Sequence, residues 1–376
     1  MLISEQALAP AQLDPIRAPF AAFGGTRVDA PVLQPLSLLL DLAGEGLRAR
    51  LFVVQSEGAE EQALRPDFTI PVVQSHIASG AAAGRYVYEG KAFLAPERGA
   101  QQPSEFLQIG AELFGAGSDP YADDARIAAL AWTAAVAGGR DDLSLHLGDP
   151  GLFSGFLRAL GVAAQAALRL KRALRSPRAL AAELGSEAAL DDRRHARLAD
   201  LLSGLSEDDA AALLAEVWRM SGIQPVGGRS AADIVHRLTA RAEAARAPGL
   251  TPSEVARIET FLSLSGRPEA VLDDIARLAG PAAGSLAPLL DGWRRRLAAL
   301  VAQGAPEGAL TLATAFVRPF GYYDGMLFEV RSAALGADQP VAAGGRYDAL
   351  PSLFGGAPGA VGCMVRPGRA AAGGAA

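Results

Sequence analysis

Strand-like runs stand toward both ends of this chain, and a long stretch between them carries almost none. Residues 51–55, 85–91, 105–114 and 143–147 alternate in polarity or are rich in β-branched and aromatic side chains, as strands are. From about 166 to 279 the pattern changes. AALRLKRALRSPRALAAELG and DDAAALLAEVWRM space their apolar residues as helices do, with Pro, Gly and Ser between them. Ser206, two residues before a double aspartate, is placed to cap a helix. After 280 one more helical segment, SLAPLLDGWRRRLAALVAQG, leads into LTLATAFV, MLFEVRS and QPVAAGGRYD. These read as consecutive antiparallel strands, with Asp324-Gly325 as a turn. The expectation is an α+β fold: a mainly antiparallel sheet flanked by helices and built from 1–165 and 280–376, interrupted by a helical insertion over 166–279.

Composition narrows the classes of function. Of 376 residues half are hydrophobic and 20% charged, which suits a folded core. A net charge of -6 suits poorly a protein that must neutralise many phosphates, which disfavours broad nucleic-acid binding. The single cysteine, Cys363, excludes an internal disulfide and a cysteine-built zinc site, and it reads as a small buried residue. The first twenty residues carry acids and prolines where a signal peptide has an apolar run. The longest apolar candidate, about 127–138, is too short to span a membrane and reads as a buried Ala-rich helix. A cytoplasmic protein is expected.

Several catalytic signatures are absent. Gly90-Lys91 is the only Gly-Lys pair; Ala92 follows it and Arg85 takes the upstream glycine position, so no Walker phosphate loop is present. His76, His146, His195 and His236 lie far apart without ligand spacing and read as structural or surface residues. No metal or cofactor is expected.

What remains is a set of polar residues in apolar settings. On a strand over 105–114, Leu107, Ile109, Ala111 and Leu113 share one face, and Phe106, Gln108, Gly110, Glu112 and Phe114 the other. A buried strand carries Gln and Glu on one face only where something pairs with them. Gly110 leaves room between them, and Gln108 and Glu112 stand about 13 Å apart at roughly 3.3 Å per residue. A small polar ligand fits across that gap; an exposed sheet face is the other reading. In LRPDFTIP, Asp67 and Thr69 alternate with Phe68 and Ile70, and Pro66 and Pro71 confine the segment to a short edge or loop. RPFGYYDGMLFE and AGGRYDAL each place an Arg, a Tyr and an Asp beside glycines. Arginine offers a fork for a carboxylate or phosphate. Core packing with satisfied hydroxyls is the alternative for Tyr322 and Tyr323.

Taken in order, these segments resemble the histidyl-tRNA synthetase family of class II synthetases. RVDAPVLQP is similar to the dimer-forming first motif, and YEGKAFLAPERGAQQPSEFLQIGAELFG to the second. RPFGYYDGMLFE and AGGRYDAL are similar to the two histidine-recognition signatures. The departures fall on the nucleotide side. Leu94 follows Phe93 where the family has a phosphate-gripping Arg, Pro96 replaces a neighbouring acid, and AQQPS is an uncharged loop. In GAVGCMVRPGR, Pro367 stands where a helix is expected, which leaves Arg366 and Arg369 unplaced. An anticodon-binding domain is not expected. The positions that hold histidine in the family correspond to Asp67 (there usually Glu), Thr69, Gln108, Glu112, Arg318, Tyr322, Tyr323 and Tyr347.

This pattern resembles the regulatory subunits of ATP phosphoribosyltransferase, catalytically silent relatives of the synthetase. The resemblance implies no catalytic residue and a short-form catalytic subunit as partner. It further implies self-dimers within a hetero-oligomer, a role in the first step of histidine biosynthesis, and feedback regulation by histidine. A truncated histidyl-tRNA synthetase and another free-standing amino-acid-sensing paralogue remain the alternatives. Histidine-dependent ATP–pyrophosphate exchange would mark the first, and capture of a different partner the second.

Overall fold

The computed structural model describes residues 5, 7–55, 58, 60–97, 100, 102–115, 119–174, 176–185, 205–221, 231, 232, 235, 250–318 and 321–371. They form two compact units, Met1–Gly155 with Phe261–Ala376, and Phe156–Thr260. The second unit begins before residue 166 and stops short of 279. Its described residues include the helices Ala164–Ala173, Pro177–Leu184 and Glu207–Ser221 and no strand. Arg169 and Glu183 join the first two of these by an ion pair of 3.0 Å. Ser206 does cap a helix, its Oγ accepting from the Asp209 N–H at 3.1 Å. The helix Pro268–Ala279, expected in the insert, belongs to the first unit. Its Val271, Leu272, Ile275 and Ala279 make one buried stripe, as a core-facing helix requires.

The first unit is organised by strands β1 (Thr26–Arg27), β2 (Leu33–Pro35), β3 (Val53–Val54), β4 (Gln62–Leu64), β5 (Gly84–Phe93), β6 (Glu105–Phe114) and β7 (Leu143–Gly148), continued by β8 (Ser265–Gly266), β9 (Leu310–Ala313), β10 (Leu327–Ser332), β11 (Ala342–Arg346) and β12 (Ala360–Val365). Nine of them form one sheet in the order β1-β5-β6-β12-β11-β10-β7-β9-β8, and β2-β4-β3 form a small second sheet. All pairings in the large sheet are antiparallel except β1 with β5 and β7 with β9.

One expected hairpin is corrected. LTLATAFV and MLFEVRS are not neighbours, because β7 lies between β9 and β10 and pairs with both. Asp324-Gly325 does not close that hairpin. Asp324 instead accepts the N–H groups of Asp348 and Ala349, at 2.9 and 2.8 Å, where the short helix Ala349–Ser352 begins.

The helix Pro120–Val136 covers β10, β11 and β12. Its buried residues are mostly alanines, which let its backbone approach the sheet, and Asp119 caps its first turn through the Tyr121 N–H. None of the described helices is long and apolar enough to cross a membrane.

His76 and His146 are hydrogen-bonded to Tyr86 and Ser144, each at 3.0 Å. His195 and His236 lie outside the described residues. Cys363 is buried, and burial pushes its thiol well above the ordinary range.

Candidate functional site

Glu112 and Gln108 are 1% and 4% exposed, so the face of β6 that carries them is inside the protein. It forms the floor of a cavity of about 450 Å3, walled entirely by the first unit. The glycines around Glu112 have specific work. A Cβ at Gly362, opposite on β12, would fall 1.3 Å from Glu112 Oε2. A Cβ at Gly110 would fall 2.2 Å from the Tyr88 hydroxyl. Small residues at both positions open the space that the carboxylate and the tyrosine occupy.

Asp67 lies in the loop that follows β4, as expected, whereas Thr69 is on neither an edge strand nor a loop and opens the helix Thr69–Ala78. Pro71 is its third residue, where a backbone N–H has no intrahelical partner and a proline is tolerated. Thr69 Oγ1 donates to Glu112 Oε1 at 3.0 Å. The Tyr347 hydroxyl donates to Glu112 Oε2 from the other side. The Tyr322 hydroxyl donates to Asp67 Oδ2 at 2.9 Å. Tyr322, Tyr323 and Tyr347 pack ring to ring, with centroids 4.6–6.2 Å apart. Arg318 lies 5.8 Å from the Tyr323 ring centroid and pairs with Glu329 at 2.7 Å. Seven of the eight expected residues line the cavity: Asp67, Thr69, Gln108, Glu112, Arg318, Tyr322 and Tyr323. Tyr347 stands behind Glu112 and holds it.

The electrostatics of this set are unbalanced. Burial pushes the Glu112 carboxyl up to about 8, against the pull of the Tyr347 and Thr69 hydroxyls, and the charge of Asp67 adds to the rise. Burial pushes Asp67 up to about 6, opposed by the Tyr322 hydroxyl and the Ile70 and Thr69 N–H groups. Tyr323 is pushed up to about 12. Among the described residues, Asp67 Oδ1, Gln108 Oε1 and Arg318 Nε are buried and make no hydrogen bond. Two acceptors and one cationic donor, on residues that line the cavity, are therefore unsatisfied. A zwitterion supplies both complements, an ammonium for the acids and a carboxylate for the guanidinium. Among the described residues no group of three or more His, Cys, Asp or Glu is placed to hold a metal.

Sequence reasoning missed part of the wall. Glu329, Arg331, Arg366 and Arg369 also line the cavity. Glu329 is 8% exposed between the buried Phe328 and Val330, a signal of the same kind as Gln108 and Glu112. Pro367 was expected to prevent a helix after β12. It starts one instead, Pro367–Ala370, as proline's fixed φ suits a first helical position. Arg366 and Arg369 thereby acquire defined places.

Comparison with known proteins agrees with this architecture. The family model described as "Histidyl-tRNA synthetase" matches residues 12–228 and 211–368. Two solved structures share the fold. One is titled an ATP phosphoribosyltransferase regulatory subunit/histidyl-tRNA synthetase from Bacillus halodurans (TM-score 0.63, 22% identity, covering 95% of this chain and 76% of that one). The other is a histidyl-tRNA synthetase from Nostoc (TM-score 0.60, 17% identity, covering 98% and 72%). The fold is thus that of a class II synthetase of the histidyl type. Closer in sequence are proteins named ATP phosphoribosyltransferase regulatory subunit. That of Mesorhizobium japonicum is 35% identical over 89% of each chain, and that of Allorhizobium ampelinum 35% over 89% of this chain and 90% of its own. The chain belongs to this family of ATP phosphoribosyltransferase regulatory subunits.

Proposed function

We propose that this chain is a non-catalytic, cytoplasmic regulatory subunit that joins a short-form ATP phosphoribosyltransferase, supports the first step of histidine biosynthesis, and carries its feedback inhibition by histidine. It works as a self-dimer within a hetero-oligomer and takes no tRNA.

The observation that carries this reading is a buried carboxyl, Glu112, held by two neutral hydroxyls in a cavity that also holds an unsatisfied guanidinium N–H. Histidine would seat its carboxylate at Arg318, and its ammonium or ring against Glu112, Gln108 and Asp67. Thr69, Tyr322, Tyr323 and Tyr347 would orient these groups. Asp67 is shorter than the glutamate usual in the synthetase, but the Tyr322 hydroxyl fixes its position at the cavity wall.

Aminoacyl activation needs the triphosphate held and its developing charge neutralised. Leu94, on the cavity wall, supplies no charge for that. The site would therefore keep amino-acid recognition and lack activation. Coupling between histidine and the partner's substrates would amount to about 1–3 kcal/mol and would be reciprocal.

The test is calorimetric titration of histidine into the chain, alone and with the transferase from the same organism, beside an activity assay. Histidine binding together with activation of the transferase, and inhibition as histidine rises, is the expected result. Absence of both binding and activation overturns the proposal.

A further inference from the structure

Four arginines at the surface of helices, Arg17, Arg219, Arg277 and Arg294, each pair with an acid three residues earlier: Asp14, Glu216, Asp274 and Asp291. Such neighbours lie on one helix face. The helices Ala164–Ala173 and Pro177–Leu184 of the second unit depart from that habit. From 150 to 182 the sequence holds six Lys and Arg and no acid. Lys171 and Arg172 lie in the last turn of the first helix, Arg178 is the second residue of the next, and all three are exposed. Among the described residues none of the three makes an ion pair. Glu183, the only acid of the two helices, is taken by Arg169 at 3.0 Å. Leu168, 47% exposed, stands one turn before Lys171 and Arg172 on the same face.

This arrangement works against the fold itself. Lys171 and Arg172 suit the carbonyl end of their helix, but neighbouring cations repel, and Arg178 sits at a helix start, where the dipole favours an anion. Acids three or four residues away would relieve the repulsion, as they do elsewhere in the chain. A face that keeps unpaired cations around an exposed leucine complements an acidic protein face with an apolar spot. A long polyanion suits it less. The two helices span only about 15 and about 12 Å at roughly 1.5 Å per residue. The first unit carries 28 acids against 20 Lys and Arg, which repels a nucleic acid.

We infer that the face formed by Leu168, Lys171, Arg172 and Arg178 is a docking surface for an acidic face of the catalytic partner, the transferase. This rests on the chain being that transferase's regulatory subunit, and adds the place and the charge of the contact. Attraction of this kind acts mainly on the association rate and is screened by salt.

The test follows association of the transferase from the same organism with the full chain by surface plasmon resonance, at about 50 mM and about 300 mM salt. The wild type should associate several-fold more slowly at the higher salt. Lys171→Glu, Arg172→Glu and Arg178→Glu together should slow association and weaken binding at least about tenfold at low salt, with an unchanged melting curve. Leu168→Ser should weaken binding several-fold at both salts through faster dissociation. Should the charge-reversed chain fail to fold, Lys171→Gln with Arg172→Gln should weaken binding several-fold. Equal binding by the wild type and the folded variant overturns the docking face and leaves the regulatory role standing. A wild type that does not bind the transferase overturns both. Binding of the organism's tRNA that is lost in the charge-reversed chain, with transferase affinity unchanged, assigns the face to a nucleic acid and also overturns the inference.

Discussion

Two carboxylates in the first unit are almost equally buried, and their surroundings differ completely. Asp124, 0% exposed on the helix Pro120–Val136, receives Nε of Arg296 and Nε of Arg346, each at 2.7 Å. Arg346 in turn holds Asp348 and the Pro120 carbonyl, at 2.8 and 3.0 Å. Among the described residues Glu112, 1% exposed, receives only hydroxyls. Removing a carboxylate from water costs several kcal/mol, and that cost is offset by cations or by protonation. At Asp124 the chain supplies the cations and gains a brace between helix and sheet. At Glu112 it supplies none and leaves a carboxyl poised between its two forms. A saturated buried acid belongs to the scaffold, and a starved one beside a cavity marks a binding site.

Substitution can break this contrast. The largest effect is expected at the brace. Asp124→Ala removes the anion shared by two buried guanidiniums, leaving Arg346 with Asp348 alone, and should cost about 3–5 kcal/mol in urea unfolding. A loss below about 1 kcal/mol would remove the distinction between the two acids. Glu112→Ala should do the reverse. Its fold should survive while histidine affinity falls about 10- to 100-fold by calorimetry, the worth of a hydrogen bond to a charged group. Unchanged affinity would take Glu112 out of the site.

A smaller effect sharpens the same comparison through pH. Glu112 and Asp67 bind their protons more tightly folded than unfolded. Between the ordinary carboxylate range and about 8, the folded state therefore holds more protons than the unfolded one. The stability of the unliganded protein should fall as pH rises through that window, by at most about 1.4 kcal/mol per pH unit for each proton involved. Asp67 contributes only below about 6, and Glu112 carries the upper part. Urea midpoints from pH 5.5 to 8 should decline in the wild type, and Glu112→Gln should flatten the decline above pH 6.5. A flat wild-type profile would contradict a neutral Glu112.

Much of the site was legible because it sits where local patterns conflict. Gln108 and Glu112 on one face of a strand, with Gly110 between them, offered either a ligand site or an exposed sheet face, and their burial decides for the interior. The Ala-rich segment read as a buried helix is the helix Pro120–Val136. Pairing was less legible. The β7–β9 and β7–β10 contacts join residues more than a hundred positions apart, and no local periodicity encodes which distant strand comes to lie in between. The helix beginning at Thr69 was hidden by Pro66 and Pro71, which read as breakers although a first turn accommodates proline. Asp124 and Arg346 were missed as a pair because each is unremarked in its own segment; only the tertiary fold brings them to 2.7 Å.

The strand order has a consequence for how the protein is made. β6 finds its second neighbour only in β12, and β7 lies between β10 and β9. All three partners come from the last part of the chain. A nascent polypeptide that has emerged through Gly155 carries an unzipped edge on β6 and a β7 with neither flank covered. Such edges invite pairing with other chains, and long-range closures are slow. Folding of the large sheet therefore waits until β12 has been made, and during that wait the half-made protein is a natural client for chaperones.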